Sequence, residues 1–315
     1  MTDFKLRDRY IEPPFSALDS KNSIWLDRKR FWKNLGIKSE VGRSAKAFHM
    51  KDWADSKRDE GKISGNSIPS DTSIFDPYLC EIMYHWFCYN DGKIIDPFAG
   101  GSVRGIVAKY LNYNYTGIEL RKEQVESNYD QSNSILEDNP TWICGDSNEE
   151  LDKLNENFDM LFSCPPYWNL EIYSDDIKDL SNMNYNDFLK AYRSIIKKSC
   201  DKLLPGSFGV FVVGDIRDKK TGEYVGFVND TYNAFKDSGM IFWNEAILLN
   251  SIVSASLRAD KQFSNSQKLV KVHQNILIFK KPGENIKIKQ KWKALSKESI
   301  MEEKDKERKF LNSLF

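Results

Sequence analysis

The sequence contains few of the residues that build metal sites and disulfide frameworks. Its 315 residues include three histidines and five cysteines, and the cysteines form no CxxC pair. An odd number of scattered cysteines indicates reduced thiols, and no His or Cys cluster has the spacing of zinc ligands. We therefore expect no structural metal.

Long apolar runs are missing as well. No stretch approaches the roughly eighteen or more apolar residues of a membrane helix. The charged N-terminus also lacks the apolar core of a signal peptide. The expectation is a cytoplasmic protein without membrane contact.

The net charge is zero, which argues against a uniformly basic nucleic-acid-binding surface. The charge is unevenly spread, because residues 1–70 hold fifteen basic and ten acidic residues. In "IWLDRKRFWKN" basic residues alternate with Trp and Phe, so Arg28, Lys29 and Arg30 are candidates for phosphate contacts. The alternative is a helix that packs its aromatic side chains on the core and leaves its charges in water.

From residue 74 to residue 283, short apolar strands alternate with helical runs. The predicted strands include "KIIDPF", "YTGIEL", "TWICGD", "FDMLFSC", "SFGVFVVGD", "FWNEAILL" and "HQNILIFKK". Strands separated by helices indicate an α/β domain with a mostly parallel sheet and helices on both faces. Residues 1–73 form an N-terminal basic and aromatic extension, and residues 284–315 a charged helical tail. Pro205-Gly206 is expected to close the helix before "SFGVFVVGD".

A glycine-containing turn, "IIDPFAGGSVRG", follows the first core strand. Asp96 ends the strand, and Gly100 and Gly101 precede a helix. The turn lacks the GxGxxG and GK[ST] patterns, so it is not built for pyrophosphate. Glu119 and Asp146 end the next two strands, where they could accept hydrogen bonds from ribose hydroxyls and from an adenine amino group. Acids at strand ends are also common helix caps.

A second motif, "LFSCPPYW", follows the buried strand at 158–164. A proline pair cannot continue a strand ladder or a helix, so the chain stops and turns there. The turn lies between a thiol and two large aromatic residues. This arrangement indicates a rigid loop at the carboxyl end of a central strand.

Together, "DPFAGGS" and "SCPPY" resemble the two signature motifs of class I S-adenosylmethionine-dependent DNA amino-methyltransferases, including methylases of phages and restriction–modification systems. The resemblance covers about residues 74–281. It implies a Rossmann-like class I methyltransferase fold that binds S-adenosyl-L-methionine. The cofactor-binding residues that it implies are Asp76, Pro77, Asp96, Pro97, Phe98, Gly100, Gly101, Ser102, Glu119 and Asp146.

The resemblance assigns catalysis to the proline loop, through Ser163, Cys164, Pro165, Pro166 and Tyr167. An exocyclic amino nitrogen is a poor nucleophile, because its lone pair is delocalised into the base ring. Acceptors on its two hydrogens localise that pair, and the rigid prolines can aim the Pro165 carbonyl as one of them. Tyr167 would stack on a base flipped out of the duplex.

Cys164 departs from the family pattern, in which Asp, Asn or Ser precedes the prolines and supplies the second acceptor. A thiol is a weak acceptor, so the role falls to Cys164, to Ser163 or to a bound water. The target base stays open between adenine (N6) and cytosine (N4). Attack of Cys164 on the ring, as in cytosine C5 methylation, is disfavoured, because that chemistry uses a Pro-Cys order and a separate Glu motif.

The leading hypothesis is therefore a methyltransferase that acts on double-stranded, sequence-specific DNA sites. Basic or polar segments at 215–227 and 254–274 are candidate target-recognition loops on the catalytic side. The phosphate candidates in these segments are Lys219, Lys220, Arg258, Lys261 and Lys268. The alternatives are an RNA N-methyltransferase and a catalytically inactive nucleic-acid-binding relative. The oligomeric state stays open.

Overall fold

The fold is taken from a computed structural model that describes residues 5–38, 75–170, 174–218, 220–250 and 253–312. Most of the second half of the predicted N-terminal extension, together with the phosphate candidate Lys219, lies outside the described residues.

Eight strands of the described chain form one sheet. They are β1 (Ala17–Asp19), β2 (Lys93–Asp96), β3 (Asn114–Glu119), β4 (Thr141–Cys144), β5 (Phe158–Ser163), β6 (Leu203–Val213), β7 (Ile241–Leu249) and β8 (His273–Lys280). Their order is β1-β7-β8-β6-β5-β2-β3-β4. Only β8 runs antiparallel to its neighbours, and the other pairs are parallel. The predicted mostly parallel sheet is confirmed.

Helices precede, connect and follow these strands. They are α1 (Leu6–Tyr10), α2 (Ser23–Asn34), α3 (Pro77–Phe87), α4 (Val103–Tyr110), α5 (Lys122–Asn133), α6 (Ser147–Lys153), α7 (Tyr185–Asp201), α8 (Phe227–Asp237), α9 (Val253–Ser266), α10 (Ile286–Ala294) and α11 (Lys297–Asn312). None of these helices combines the length and apolar character that a membrane crossing requires.

Both faces of the central strands are buried, as the apolar runs in the sequence indicate. Ile94 and Phe162 belong to one hydrophobic cluster, which includes residues of α2, α3 and α4. Their chain neighbours Ile95 and Leu161 belong to a second cluster, with residues of α7 and α8. Successive strand residues point to opposite faces, so the two clusters are the two layers of helices that cover the sheet. The Rossmann-like, mixed α/β prediction is thereby confirmed.

The strand order reverses between β2 and β5. Strands β3 and β4 follow on one side of β2, and β6 follows on the far side of β5. In open α/β sheets the crevice beyond the carboxyl ends of strands at such a switch point is where ligands bind. The glycine turn follows β2 and the proline loop follows β5, so both motifs lie at this point.

Two local predictions differ from the structure, and one strand was not predicted. Pro205-Gly206 was expected to close α7, but it lies inside β6. The β5–β6 register shifts between Phe158 and Met160, and this irregularity accommodates the pair, with Gly206 at a positive φ of 74°. The three-residue strand β1 pairs with β7 at the sheet edge and was not expected. The segment 254–274, predicted as a target-recognition loop, contains most of helix α9.

Candidate active site

A cleft of about 1050 Å³ opens at the switch point of the sheet. One wall carries the glycine turn and the acids that end β3 and β4, and the other carries the proline loop. The predicted site residues that line this cleft are Asp76, Pro97, Phe98, Gly100, Gly101, Ser102, Glu119, Asp146, Cys164, Pro165, Pro166 and Tyr167. The structure therefore brings together two motifs that lie about sixty residues apart in the sequence.

The glycine turn leaves space for a ligand beside its backbone. Gly100 has a φ of +52°, which L side chains rarely adopt. A Cβ atom added at Gly100 or Gly101 would meet no atom within 4 Å. The Gly100 carbonyl accepts a hydrogen bond from Asn128 Nδ2 at 2.8 Å. A fixed backbone with an open side is suited to close approach by a ligand.

Glu119 is largely buried at the end of β3 and faces the glycine turn. Its Oε2 accepts a hydrogen bond from Gly100 N at 3.0 Å, and its Oε1 accepts one from Arg121 N at 3.0 Å. Burial raises the pKa of Glu119, although these N–H donors and the Arg121 guanidinium act in the opposite direction. Each oxygen keeps a second lone pair, so the carboxylate can accept further hydrogen bonds.

Asp146 and Asp76 are both helix caps and cleft residues. Asp146 Oδ1 accepts a hydrogen bond from Asn148 N at 2.9 Å, which caps α6. Asp76 Oδ1 caps α3 through Tyr78 N at 3.0 Å. Pro77 is buried at the first position of α3, where its fixed φ favours helix initiation, and it does not line the cleft.

Asp96 lies behind the cleft and is fully buried. Its Oδ1 accepts hydrogen bonds from Ser163 Oγ at 2.5 Å and Phe98 N at 3.1 Å, and its Oδ2 accepts from Arg104 Nε at 2.6 Å and Tyr115 OH at 2.8 Å. The predicted site residues Asp96 and Ser163 therefore connect the two loops and do not line the cleft. Arg104 and Tyr115 were not predicted, because only the fold brings them to Asp96.

The proline loop holds its aromatic residues by contacts outside the loop. The Tyr167 hydroxyl accepts a hydrogen bond from Gln274 Nε2 at 3.0 Å and lies 3.8 Å from Cys164 Sγ. The Tyr167 ring packs against Phe227 with a centroid distance of 5.8 Å. No group in the described chain donates to the Pro165 carbonyl, which remains able to accept a hydrogen bond. Gln274 also lines the cleft and was not predicted.

The basic residues Arg28, Lys29 and Arg30 of α2 form ion pairs with acidic side chains. Arg28 forms a 2.8 Å ion pair with Glu81, and its guanidinium lies 4.4 Å from the centroid of the Phe31 ring. Lys29 pairs with Asp76 at 3.1 Å and Arg30 with Asp27 at 2.6 Å. Trp25 and Trp32 on the same helix are buried. These contacts match the alternative of a helix packed on the core, although Lys29 and Arg30 also line the cleft.

The two predicted recognition segments contact each other. In 215–227, Asp215 Oδ1 accepts hydrogen bonds from Gly226 N and Phe227 N at 3.1 and 3.0 Å, which closes the segment into a compact loop. A Cβ atom added at Gly222 would lie 1.8 Å from Lys268 Nζ, so Lys268 packs directly on this loop. Three further phosphate candidates are exposed: Lys220, Arg258 and Lys261.

A scan against protein-family models finds no match, and a search of curated proteins finds none either. Solved structures do resemble the chain. TrmN from Thermus thermophilus is 11% identical over 66% of this chain and 49% of its own, with a TM-score of 0.42. A second Thermus thermophilus protein, provisionally assigned as a DNA modification methylase, is 22% identical over 44% of this chain and 51% of its own, with a TM-score of 0.33. The chain thus spans about half the length of each of these two proteins.

A third similar structure is magnesium protoporphyrin IX methyltransferase (ChlM) from Synechocystis PCC 6803 with bound SAM. It is 11% identical over 74% of this chain and 93% of its own, with a TM-score of 0.42. These TM-scores lie below 0.5, and it is the strand order of the sheet that defines the fold.

Proposed function

We propose that this protein is an S-adenosylmethionine-dependent methyltransferase that acts on an exocyclic amino nitrogen, adenine N6 or cytosine N4, in double-stranded DNA. The observation that carries the proposal is that the glycine turn and the proline loop open into one cleft at the switch point. The 2.5 Å hydrogen bond from Ser163 to Asp96 fixes one loop to the other. A methyl donor and a methyl acceptor bound to the two walls would meet between these loops.

The cofactor wall has groups suited to S-adenosylmethionine. The open side of Gly100 and Gly101 admits a ligand against the backbone. The unused lone pairs of Glu119 suit the two hydroxyls of a ribose, and Asp146 lines the cleft where it can accept a hydrogen bond from an adenine amino group. When bound, this cofactor supplies a sulfonium methyl group, which forms the new N–C bond while the C–S bond breaks and its electron pair stays on sulfur.

The substrate wall would activate the amino group. The Pro165 carbonyl would accept a hydrogen bond from one N–H and so localise the nitrogen lone pair for attack. The prolines keep this carbonyl in place, so no reorganisation is needed when charge develops. After transfer the nitrogen loses one proton to solvent, because an amide carbonyl is too weakly basic to keep it. Tyr167 would support the flipped base by stacking.

Incubation with S-adenosylmethionine and either unmethylated DNA or RNA, followed by nucleoside mass spectrometry, tests this function. We expect N6-methyladenine or N4-methylcytosine in DNA. The same products in RNA alone would favour an RNA N-methyltransferase. Nucleic acid binding without any methyl transfer would favour an inactive relative.

A further inference from the structure

The proline loop lacks a strong side-chain acceptor for the second amino hydrogen. Cys164 Sγ is a weak acceptor. Ser163, the alternative considered from sequence, is fully buried, and its hydroxyl donates to Asp96 at 2.5 Å. Two acceptors are needed to hold both hydrogens of an amino group. The second one must therefore come from outside the loop or from Cys164 itself.

Gln274 lies on the neighbouring wall of the cleft. Because β8 runs antiparallel to β6 and β7, its first residues reach the edge where the parallel strands end. Gln274 is the second residue of β8, pairs with Leu248 in β7, and lines the cleft together with Cys164, Pro165 and Tyr167. Its side chain is thus placed beside the proline loop by the sheet.

The orientation of the Gln274 amide is set by Tyr167. Gln274 Nε2 donates to the Tyr167 hydroxyl at 3.0 Å. With the nitrogen end of the amide held in this way, the carbonyl end accepts no hydrogen bond from any of the residues that the structure describes. An amide carbonyl is a good acceptor and is chemically the same group that Asn offers.

We propose that Gln274 Oε1 is the second hydrogen-bond acceptor for the target amino group, in place of the residue before the prolines. This inference rests on the proposed function. The Pro165 carbonyl would accept a hydrogen bond from one N–H and the Gln274 carbonyl from the other. Tyr167 would stack on the base, and its hydroxyl orients the Gln274 amide. Gln274 takes up no proton, so the proton released after transfer still leaves to solvent.

The first test is kinetic and uses an oligonucleotide that the wild type methylates. Gln274→Ala should lower kcat by roughly 100-fold, the usual loss when one preorganised hydrogen bond to the reacting group is removed. The affinity for S-adenosylmethionine, measured by calorimetry, should not change. Asn275→Ala is the matched control, because its amide donates to Glu245 at 2.9 Å on the opposite face of β8.

Compensation separates an acceptor from a residue that only positions Tyr167. In the Gln274→Ala background, Cys164→Ser or Cys164→Asn restores an acceptor at the position before the prolines. At least one of these double variants should recover about tenfold in kcat, by returning part of the lost hydrogen bond. Recovery in neither would overturn the acceptor role, as would a Gln274→Ala enzyme with unchanged kcat.

A binding measurement gives a readout apart from turnover. The wild type should bind the target oligonucleotide more tightly than the same oligonucleotide with the amino group replaced by hydrogen, and Gln274→Ala should lose this preference. An equal preference in both proteins would contradict the inference. If the wild type transfers no methyl group to any nucleic acid, it is the proposed function that fails.

Discussion

The cofactor wall of the cleft is held by hydrogen bonds between residues close in sequence, whereas the substrate wall is held by contacts between distant segments. Glu119 binds the backbone N–H groups of Gly100 and Arg121, nineteen and two residues away. On the other wall, Tyr167 is held by Gln274, 107 residues away. The cofactor wall is thus specified by a strand-turn-helix motif, and the substrate wall by the assembled sheet. Changes to the first should alter cofactor affinity, and changes to the second should alter turnover.

The largest effect is expected at Asp96, which joins the two walls. Asp96→Ala leaves the Arg104 guanidinium buried without its charge partner, so the free energy of unfolding should fall by about 3–5 kcal/mol. Denaturant unfolding measures this loss. Asp159→Ala is the control: Asp159 is also buried in the sheet, but it accepts a hydrogen bond from the Lys93 backbone N–H and not from a buried guanidinium, so the loss of stability should be about 1–3 kcal/mol. Equal losses of unfolding free energy in the two variants would contradict the role of Asp96 in joining the two walls.

On the substrate wall, Tyr167→Ala should lower kcat about 10- to 100-fold, because one base–aromatic stacking contact is worth roughly 1–3 kcal/mol. The dissociation constant for S-adenosylmethionine should stay the same. Steady-state kinetics and calorimetry measure the two quantities. Phe15→Ala, which removes an exposed aromatic side chain of the N-terminal segment, is the control and should change neither. A Tyr167→Ala protein that loses affinity for S-adenosylmethionine would contradict the claim that the two walls separately determine cofactor affinity and turnover.

On the cofactor wall, Glu119→Gln should weaken S-adenosylmethionine about tenfold, because hydrogen bonds to a charged group contribute roughly 1.5–3 kcal/mol. Turnover at saturating cofactor should be unchanged. The neighbouring, exposed Glu123→Gln variant serves as the control. A kcat defect at saturating cofactor would contradict the assignment of Glu119 to this wall.

The pH dependence of cofactor binding gives a second test of the role of Glu119. Burial raises the pKa of Glu119, so this acid takes up its proton at a higher pH than an exposed glutamate does. In the proposed function, the ionised form of Glu119 accepts the two ribose hydroxyls. Cofactor affinity should therefore fall as the pH is lowered through this raised pKa, and Glu119→Gln should flatten that dependence in calorimetric titrations. An equally steep dependence in the variant would exclude Glu119 as its source.

The smallest effects concern DNA phosphates. Lys261 is exposed on α9, and Lys261→Ala should reduce DNA affinity a few-fold and lower the slope of log K against log salt concentration by about one. Arg28→Ala should instead reduce the free energy of unfolding, because Arg28 is paired with Glu81. Binding measured at several salt concentrations separates the two. A reduced salt slope for Arg28→Ala would instead support the predicted contact of α2 with DNA phosphates.

That the glycine turn, Glu119 and Asp146 lie together on one wall of the cleft could be predicted from sequence, because these residues follow a short, regular pattern. Asp96, Gly100, Glu119 and Asp146 come at the ends of successive strands, which the apolar runs indicate. The role of Asp96 in joining the two loops could not be predicted, because its hydrogen-bond partners come close to it only in the folded sheet. Asp146 was expected either as a cap or as a ligand, and the structure shows the cap beside the cleft.

The substrate wall was less predictable, because its residues come from distant segments that meet only in the folded sheet. The proline loop was visible in the sequence, but Gln274 lies in a strand whose sequence gives no sign of a site. Its position follows from the antiparallel direction of β8. The segment that contains α9 is mostly exposed, and its apolar residues Leu257 and Phe263 are exposed as well, so they do not form a face packed on the core by which a helix is usually recognised.

The most direct measurement is the product formed from S-adenosylmethionine that carries a trideuterated methyl group, with unmethylated duplex DNA as substrate. For the wild type, nucleoside mass spectrometry should find all three deuterium atoms on N6 of adenine or N4 of cytosine. Tyr167→Ala should form about 10- to 100-fold less of the same product in the same time. Labelled 5-methylcytosine, or no labelled nucleoside from a protein that binds the cofactor and DNA, would contradict the account.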